Sequence, residues 1–221
     1  MSDAHAPVPF KSALRELMSL KLFWAAVIVS AATIVLMFTL DRMESAAADP
    51  ASLPDHGQLP AFSFVDQTGE GYSDESLRGS VAIASFIFTR CPTVCPVVSM
   101  KMQRLAERTA GAADLVLLSF SVDPEYDRPE ILAAFGDKFD ADPARWKFLT
   151  GDPDDIRSAV EGSLKIAMDR QGTLEDGTPD IVHGNHLVLL DKNLHIRGYY
   201  DYTDTKRLDQ LLRDAAALLG D

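Results

Sequence analysis

The stretch VAIASFIFTRCPTVCPVVSMKMQRLAERTA, residues 81–110, passes from a near-continuous apolar run, through a proline-bearing turn, to residues at helical spacing. VAIASFIFT (81–89) has the length and unbroken apolar character of a strand buried on both faces. PVVSMKMQRLAERTA (96–110) sets Val97, Met100, Arg104 and Leu105 around successive helical turns. Between them lie the chain's only two cysteines, Cys91 and Cys95, each followed by a proline. Proline disfavours helical backbone in the residue before it and suits the first helical position. The helix is therefore predicted to start at Pro96 with Cys95 at its cap. Both thiols then sit on a strand-to-helix turn, where the helix N-terminus favours thiolate, the form that binds soft metals and attacks disulfides. A disulfide closing so short a loop removes little chain entropy, so a static bridge would add little stability. The carboxyl end of a strand is also where open α/β sheets place their sites. The pair reads as functional, either a redox couple or part of a metal site.

Outward from this unit the alternation continues. LVLLSFSV (115–122) is a second buried strand, and RPEILAAFGDKF (128–139) a helix with Pro129 in its first turn. WKFLT (146–150) reads as a strand, and DPDDIRSAVEGSLK (152–165) as a helix with acidic residues in its opening turn. HLVLLD (186–191) and HIRGYYDY (195–202) flank a hairpin-like break at Lys192–Leu194, and TDTKRLDQLLRDAAALL (203–219) is an amphipathic closing helix. Apolar strands alternating with helices predict an α/β fold, a parallel-rich sheet covered on both faces, with the last strand pair as an antiparallel edge. Met100 and Met102 read as core, and Tyr199 and Tyr200 as strand packing.

The chain has 221 residues and a formal charge of -12, which argues against a nucleic-acid-binding surface, since such surfaces concentrate Lys and Arg. LFWAAVIVSAATIVLMFTL (22–40) carries no charge and is long enough to span a bilayer. It lacks the polar stripe of a buried helix and exceeds the usual apolar core of a signal peptide, although Ala46–Ala48 offers a cleavage site. Lys11, Arg15 and Lys21 precede the span, and only Arg42 follows before Arg78. That bias predicts a cytoplasmic N-terminus at 1–21, a transmembrane anchor at 22–40, a tether at 41–56 and an exported domain at 57–221. With no Arg- and Ser-rich presequence, the expected place is a bacterial inner membrane, crossed once, with the domain in the periplasm.

A histidine would complete a soft-metal site. His5 lies before the span, His56 in the tether, and His195 in the last strand pair, where a lone histidine is usually a surface or packing residue. His183 and His186, in PDIVHGNHLVLLD, remain. His183 is favoured as the loop residue, because loops carry sites more often than strand interiors do. His186 stays open as an alternative ligand.

FTRCPTVCP, SFSVDPEYDRPEIL, WKFLTGDPDDI and VHGNHLVLLDKNLHIRGYYD, in this order and spacing, resemble the Sco/SenC family over roughly residues 57 to 219. The resemblance implies a thioredoxin-like central mixed sheet flanked by helices, after one N-terminal transmembrane helix. It implies copper bound by Cys91, Cys95 and His183, with Asp123 near the metal or at a partner contact. The implied role is a metallochaperone more than an enzyme, delivering Cu(I) or Cu(II) to the CuA centre of cytochrome c oxidase. Implied partners are the oxidase copper-centre subunit and other copper carriers or thiol reductants. The family has Ser or Thr after its histidine, where this chain has Gly184. The alternative is a thiol-disulfide reductase using Cys91 and Cys95 on the cysteines of such a partner.

Overall fold

The computed structural model describes residues 23–37, 50–166, 168–173 and 179–220. Residues 23–37 form a helix, α1, whose side chains are all exposed. Among the described residues no helix is long and apolar enough to cross a membrane. The span expected at 22–40 runs past the described part of α1 at both ends, and the expected N-terminus and residues 41–49 lie outside the described residues.

The second unit, Ala47–Asp221, carries the rest. It contains β1 (Ser63–Asp66), β2 (Gly71–Ser73), α2 (Asp74–Leu77), β3 (Val81–Ile87), α3 (Val94–Arg108), β4 (Leu115–Ser121) and α4 (Pro129–Gly136). After these come β5 (Trp146–Thr150), α5 (Pro153–Arg157), β6 (Met168–Thr173), β7 (Pro179–His183), β8 (His186–Leu190), β9 (Ile196–Asp201) and α6 (Thr205–Leu219). Seven strands form one sheet in the order β2-β1-β5-β4-β3-β8-β9. Every residue of β3 is buried, as its apolar run requires for a central strand. β3, β4 and β5 are parallel; β1 beside β5, and β8 beside β3, run antiparallel. The sheet is therefore mixed, and antiparallel pairing reaches its second-innermost strand instead of staying at the edge. β6 and β7 form a separate antiparallel ribbon with an irregularity between Arg170 and Gly172.

Three expectations change in detail. α3 begins at Val94, so Cys95 lies inside the first turn instead of capping it. Pro96 is tolerated there because its missing N–H has no intrahelical acceptor that early, and the carbonyl it would crowd lies before the helix. Met102 is fully buried as read, but Met100 is 46% exposed, as are Val94 and Val97 nearly to the same degree on the same outer stripe. The expected helix at 152–165 keeps its cap, with Asp152 accepting from Asp154 N and Asp155 N, but after Arg157 it widens into a π-type turn over Ser158–Ser163.

The chain enters this unit firmly held. His56 N donates to Ile196 O (2.9 Å), Ile196 N to Gly57 O (2.8 Å) and Leu59 N to Leu194 O (2.9 Å). Arg197 Nη2 donates to the carbonyls of Pro50 and Leu53 at 2.9 and 2.8 Å, while its Nη1 pairs with Asp191. The second half of the stretch read as a tether thus lies along the start of β9. Because β8 is antiparallel to β3 and β9 antiparallel to β8, this fastening is at the opposite end of the sheet from the carboxyl end of β3.

Candidate metal centre

The carboxyl end of β3 delivers the cysteines into a turn whose residues 92–94 are exposed while the cysteines themselves are buried. Cys91 N donates to Phe88 O (3.2 Å), closing the turn, and Cys91 is 8% exposed while Cys95 is fully buried. The two cysteines are not joined in a disulfide. The sulfurs are approached by main-chain donors: Cys95 N points to Cys91 Sγ at 3.4 Å, and Phe88 N to Cys95 Sγ at 3.3 Å. These contacts make the two sulfurs unequal. The Cys95 thiol donates to Cys91 sulfur, and with the N–H groups of Cys95, Thr93 and Val94 this holds Cys91 down at about 5 against the opposing effect of burial. Cys95 is pushed up, first because it carries the shared proton and then because it is buried. The proton shared by the pair is thus held at Cys95, and thiolate is favoured at Cys91. The spacing, read as a thiolate-favouring turn, does that for one sulfur only.

The turn is fastened by a carboxylate the sequence reading passed over. Asp127, fully buried, accepts from Thr89 N (3.3 and 3.1 Å), from the Thr89 hydroxyl and from Ser121 Oγ (2.6 Å). It joins the residue two before Cys91 to the last residue of β4. Desolvation raises its pKa, the hydrogen bonds opposing. Its signal in the sequence was DPEYDRP, where a second aspartate follows Asp123 by four residues with Glu125 between; nothing in the pattern says which acid is buried.

Asp123 is also buried, at 1% exposure, and pairs with Arg90 (Nη2 to Oδ2, 2.6 Å; Nε to Oδ2, 3.1 Å). The Arg90 guanidinium lies 4.2 Å from the centre of the exposed Tyr126 ring. Arg90 and Asp123 thus form one wall beside the turn, and the arginine spends its charge on Asp123.

His186 opens β8 opposite Asp201 of β9, on the sheet face shared by Val188 and Tyr199. It lines a pocket with His56, Lys165, Ile166 and Tyr199. Tyr200 and Tyr202 alternate to the other face: Tyr200 donates to Asp214 of α6 (2.6 Å), and Tyr202 is pushed up by burial first, with smaller contributions from electrostatic coupling to Cys95, Asp201 and Cys91. The cysteines are on this face, away from His186. Among the described residues no three His, Cys, Asp or Glu side chains come together as a metal cluster. His183 ends β7 with its backbone paired to Met168, two residues before β8; its side chain lies outside the described residues. The first residue of β8 is at the cysteine end of β3, so the root of the β6–β7 ribbon is at that end too.

The SCO1/SenC family profile matches residues 52–219. The SCO1 protein homolog of Bacillus subtilis (strain 168) is 30% identical over 159 residues, which are 71% of this chain and 80% of that protein. The structure of BsSco, described as having a disulfide switch and as a member of the Sco family of cytochrome c oxidase assembly proteins, is similar at TM-score 0.66. It is 28% identical, over 76% of this chain and 96% of that one. The structure of Bradyrhizobium japonicum ScoI with copper bound shares the fold at TM-score 0.60 and 24% identity, over 71% of this chain and 98% of that one.

Proposed function

We propose that this chain, which belongs to the SCO1/SenC family, is a membrane-anchored copper metallochaperone that carries copper on Cys91, Cys95 and His183 to the CuA centre of cytochrome c oxidase during assembly. The observation that carries the reading is the adjacent cysteine pair at the end of β3, not joined in a disulfide and with main-chain N–H groups aimed at both sulfurs, an arrangement that favours thiolate at Cys91. Thiolate sulfur is the soft donor Cu(I) prefers, and an imidazole beside two sulfurs also suits Cu(II). His183 is supported as the third donor by the position of the ribbon root, and His186 is disfavoured by the face on which its ring lies. Asp123, tied to Arg90, belongs to the wall an acceptor protein would meet. A three-coordinate cargo leaves an open approach, so an acceptor thiolate replaces one donor at a time. The uncharged run at 22–40 serves as the anchor, with a cytoplasmic N-terminus and the domain in the periplasm.

The test is copper content and the visible spectrum of the reduced, copper-loaded full-length chain beside Cys91→Ala, His183→Ala and His186→Ala. One copper per chain, lost with Cys91 and weakened with His183 but not His186, is the expected result. Weakening with His186 in place of His183 moves the ligand; absence of tight copper from the unmodified chain removes the metallochaperone reading.

One observation favours a second reading. A thiolate beside a protonated partner is the arrangement of a thiol-disulfide reductase. Cys91 sulfur would attack a substrate disulfide and release one substrate thiolate; Cys95, losing its proton to that product, would then displace the second. The substrate gains two electrons and the Cys91–Cys95 disulfide forms. This activity does not need His183, so reductase turnover that survives His183→Ala while copper retention falls separates the two roles.

A further inference from the structure

A cavity of about 280 Å³ lies on the sheet face away from the cysteines, lined by His56, Lys165, Ile166, His186 and Tyr199. We infer that it binds a small oxyanion, a phosphate or a carboxylate group. Its polar lining is rich in donors: an ammonium with three donors and no acceptor, two imidazoles and a phenol. In a chain of net charge -12 such a grouping is a local exception. The volume equals roughly nine waters at their share of liquid volume, enough for an oxyanion and part of its hydration shell.

Three features make the cavity more than a gap between surface side chains. Tyr199 Oη is buried and has no hydrogen-bond partner among the described residues, and native buried hydroxyls are nearly always partnered. Lys165 has φ 54, a backbone region that side-chain-bearing residues seldom adopt and that concentrates at binding sites. That conformation is fixed on either side by Leu164 N to Ala159 O (2.9 Å) and Ile166 N to Val160 O (3.0 Å), and it brings Lys165 Nζ within 3.4 Å of His56 O. His56 is itself held, by its backbone to Ile196 and by its ring against Tyr199 at 5.2 Å between centroids. Asp201, opposite His186, has its carboxylate occupied by Thr203 N, the Thr203 hydroxyl and Asn185 Nδ2.

The position adds a consequence. Lys165 and Ile166 come just before β6, and His186 just after β7, so the cavity touches both feet of the ribbon that ends in His183. A bound oxyanion would brace that root. The bracing rests on the function proposed above, whereas the anion binding does not.

The experiment is calorimetric titration of the copper-free full-length chain in detergent with inorganic phosphate and, separately, with acetate, at fixed ionic strength in chloride. A saturable one-to-one heat with either anion is expected, phosphate alone assigning a phosphate group and acetate alone a carboxylate. Lys165→Ala and Tyr199→Phe should each weaken it about tenfold, the size of one charge-assisted or buried hydrogen bond, and Lys165→Arg should largely restore it. Thermal midpoints within about 2 °C of the parent certify the fold of each variant. No saturable heat with either anion, or heat unchanged in the Lys165→Ala, Tyr199→Phe double variant, overturns the proposal. Because copper is absent throughout, either result is independent of the metallochaperone reading.

Discussion

The two cysteines and the histidine proposed to join them are mounted very differently. Cys91 and Cys95 follow β3, an interior strand of a seven-stranded sheet, have main-chain donors on their sulfurs, and are locked through Thr89 to a buried carboxylate. His183 ends a two-stranded ribbon that pairs with no strand of that sheet. Under the proposed function, sulfurs fixed at the sheet end with a third donor carried on a separate ribbon would suit a cargo that must be both held and surrendered, since preorganisation lowers the cost of capture.

That contrast can be broken in graded steps. Replacing Cys91 by Ala should abolish stoichiometric copper, more than the ~10–100-fold that outer partners of a metal site carry, as checked by metal analysis after dialysis. His183→Ala should leave copper on two thiolates, weakened by about 10–100-fold in a competition titration; loss as complete as with Cys91 would erase the distinction between the mounts. Asp127→Ala strands the Thr89 N–H, the Thr89 hydroxyl and the Ser121 hydroxyl in a buried site, and should lower urea-unfolding stability by about 2 kcal/mol. Asp127→Asn should cost less, because it keeps an acceptor and removes a charge whose burial raises the native pKa.

The inequality of the sulfurs gives a pH signature. Cys91 is lowered from 9.0 to about 5, so its alkylation by iodoacetamide should be half-maximal near pH 5 and flat above neutrality, while Cys95 reacts only after unfolding. For stability, the depressed Cys91 thiol stabilises the fold increasingly as pH rises from about 5 towards its unfolded value near 9, and that contribution is lost as pH falls back through about 5. Above 9 the raised Cys95 thiol, which keeps its proton only in the folded state, acts in the opposite sense. The smallest effect should be His186→Ala on copper, less than about threefold, because its ring lies with His56, Lys165 and Tyr199.

What the sequence revealed divides along the same line. β3, β4 and β8 announce themselves as apolar runs, because strands buried on both faces need no alternation to disguise them. α4 and α6 carry ordinary helix signals, a first-turn proline and an N-cap aspartate. β1 and β2, only four and three residues long, and β6, MDRQGT, have no such runs; their pairing is decided by distant partners. The cysteine turn was legible because prolines and cysteines mark it, and helical backbone before Pro96 shows tertiary packing overriding a local preference. Asp127 was not legible: its importance comes from Thr89, thirty-eight residues away in sequence and joined to it only by the fold.

The fastening of Pro50, Leu53 and His56 to the start of β9 also sets a leash. With residues 22–40 held in a bilayer, as proposed, only about ten peptide steps separate Leu40 from the clamp at Pro50, at most ~35 Å at full extension. A free stretch to residue 56 would allow more than half as much again. On that proposal a short leash would keep the domain close to the membrane surface. An acceptor in the same membrane would then meet it in a thin layer and not in bulk, at a concentration still set by how many copies share the membrane. Cutting the Arg197 clamp would lengthen the leash, and dilute the encounter, without touching the sulfurs at the far end of the sheet.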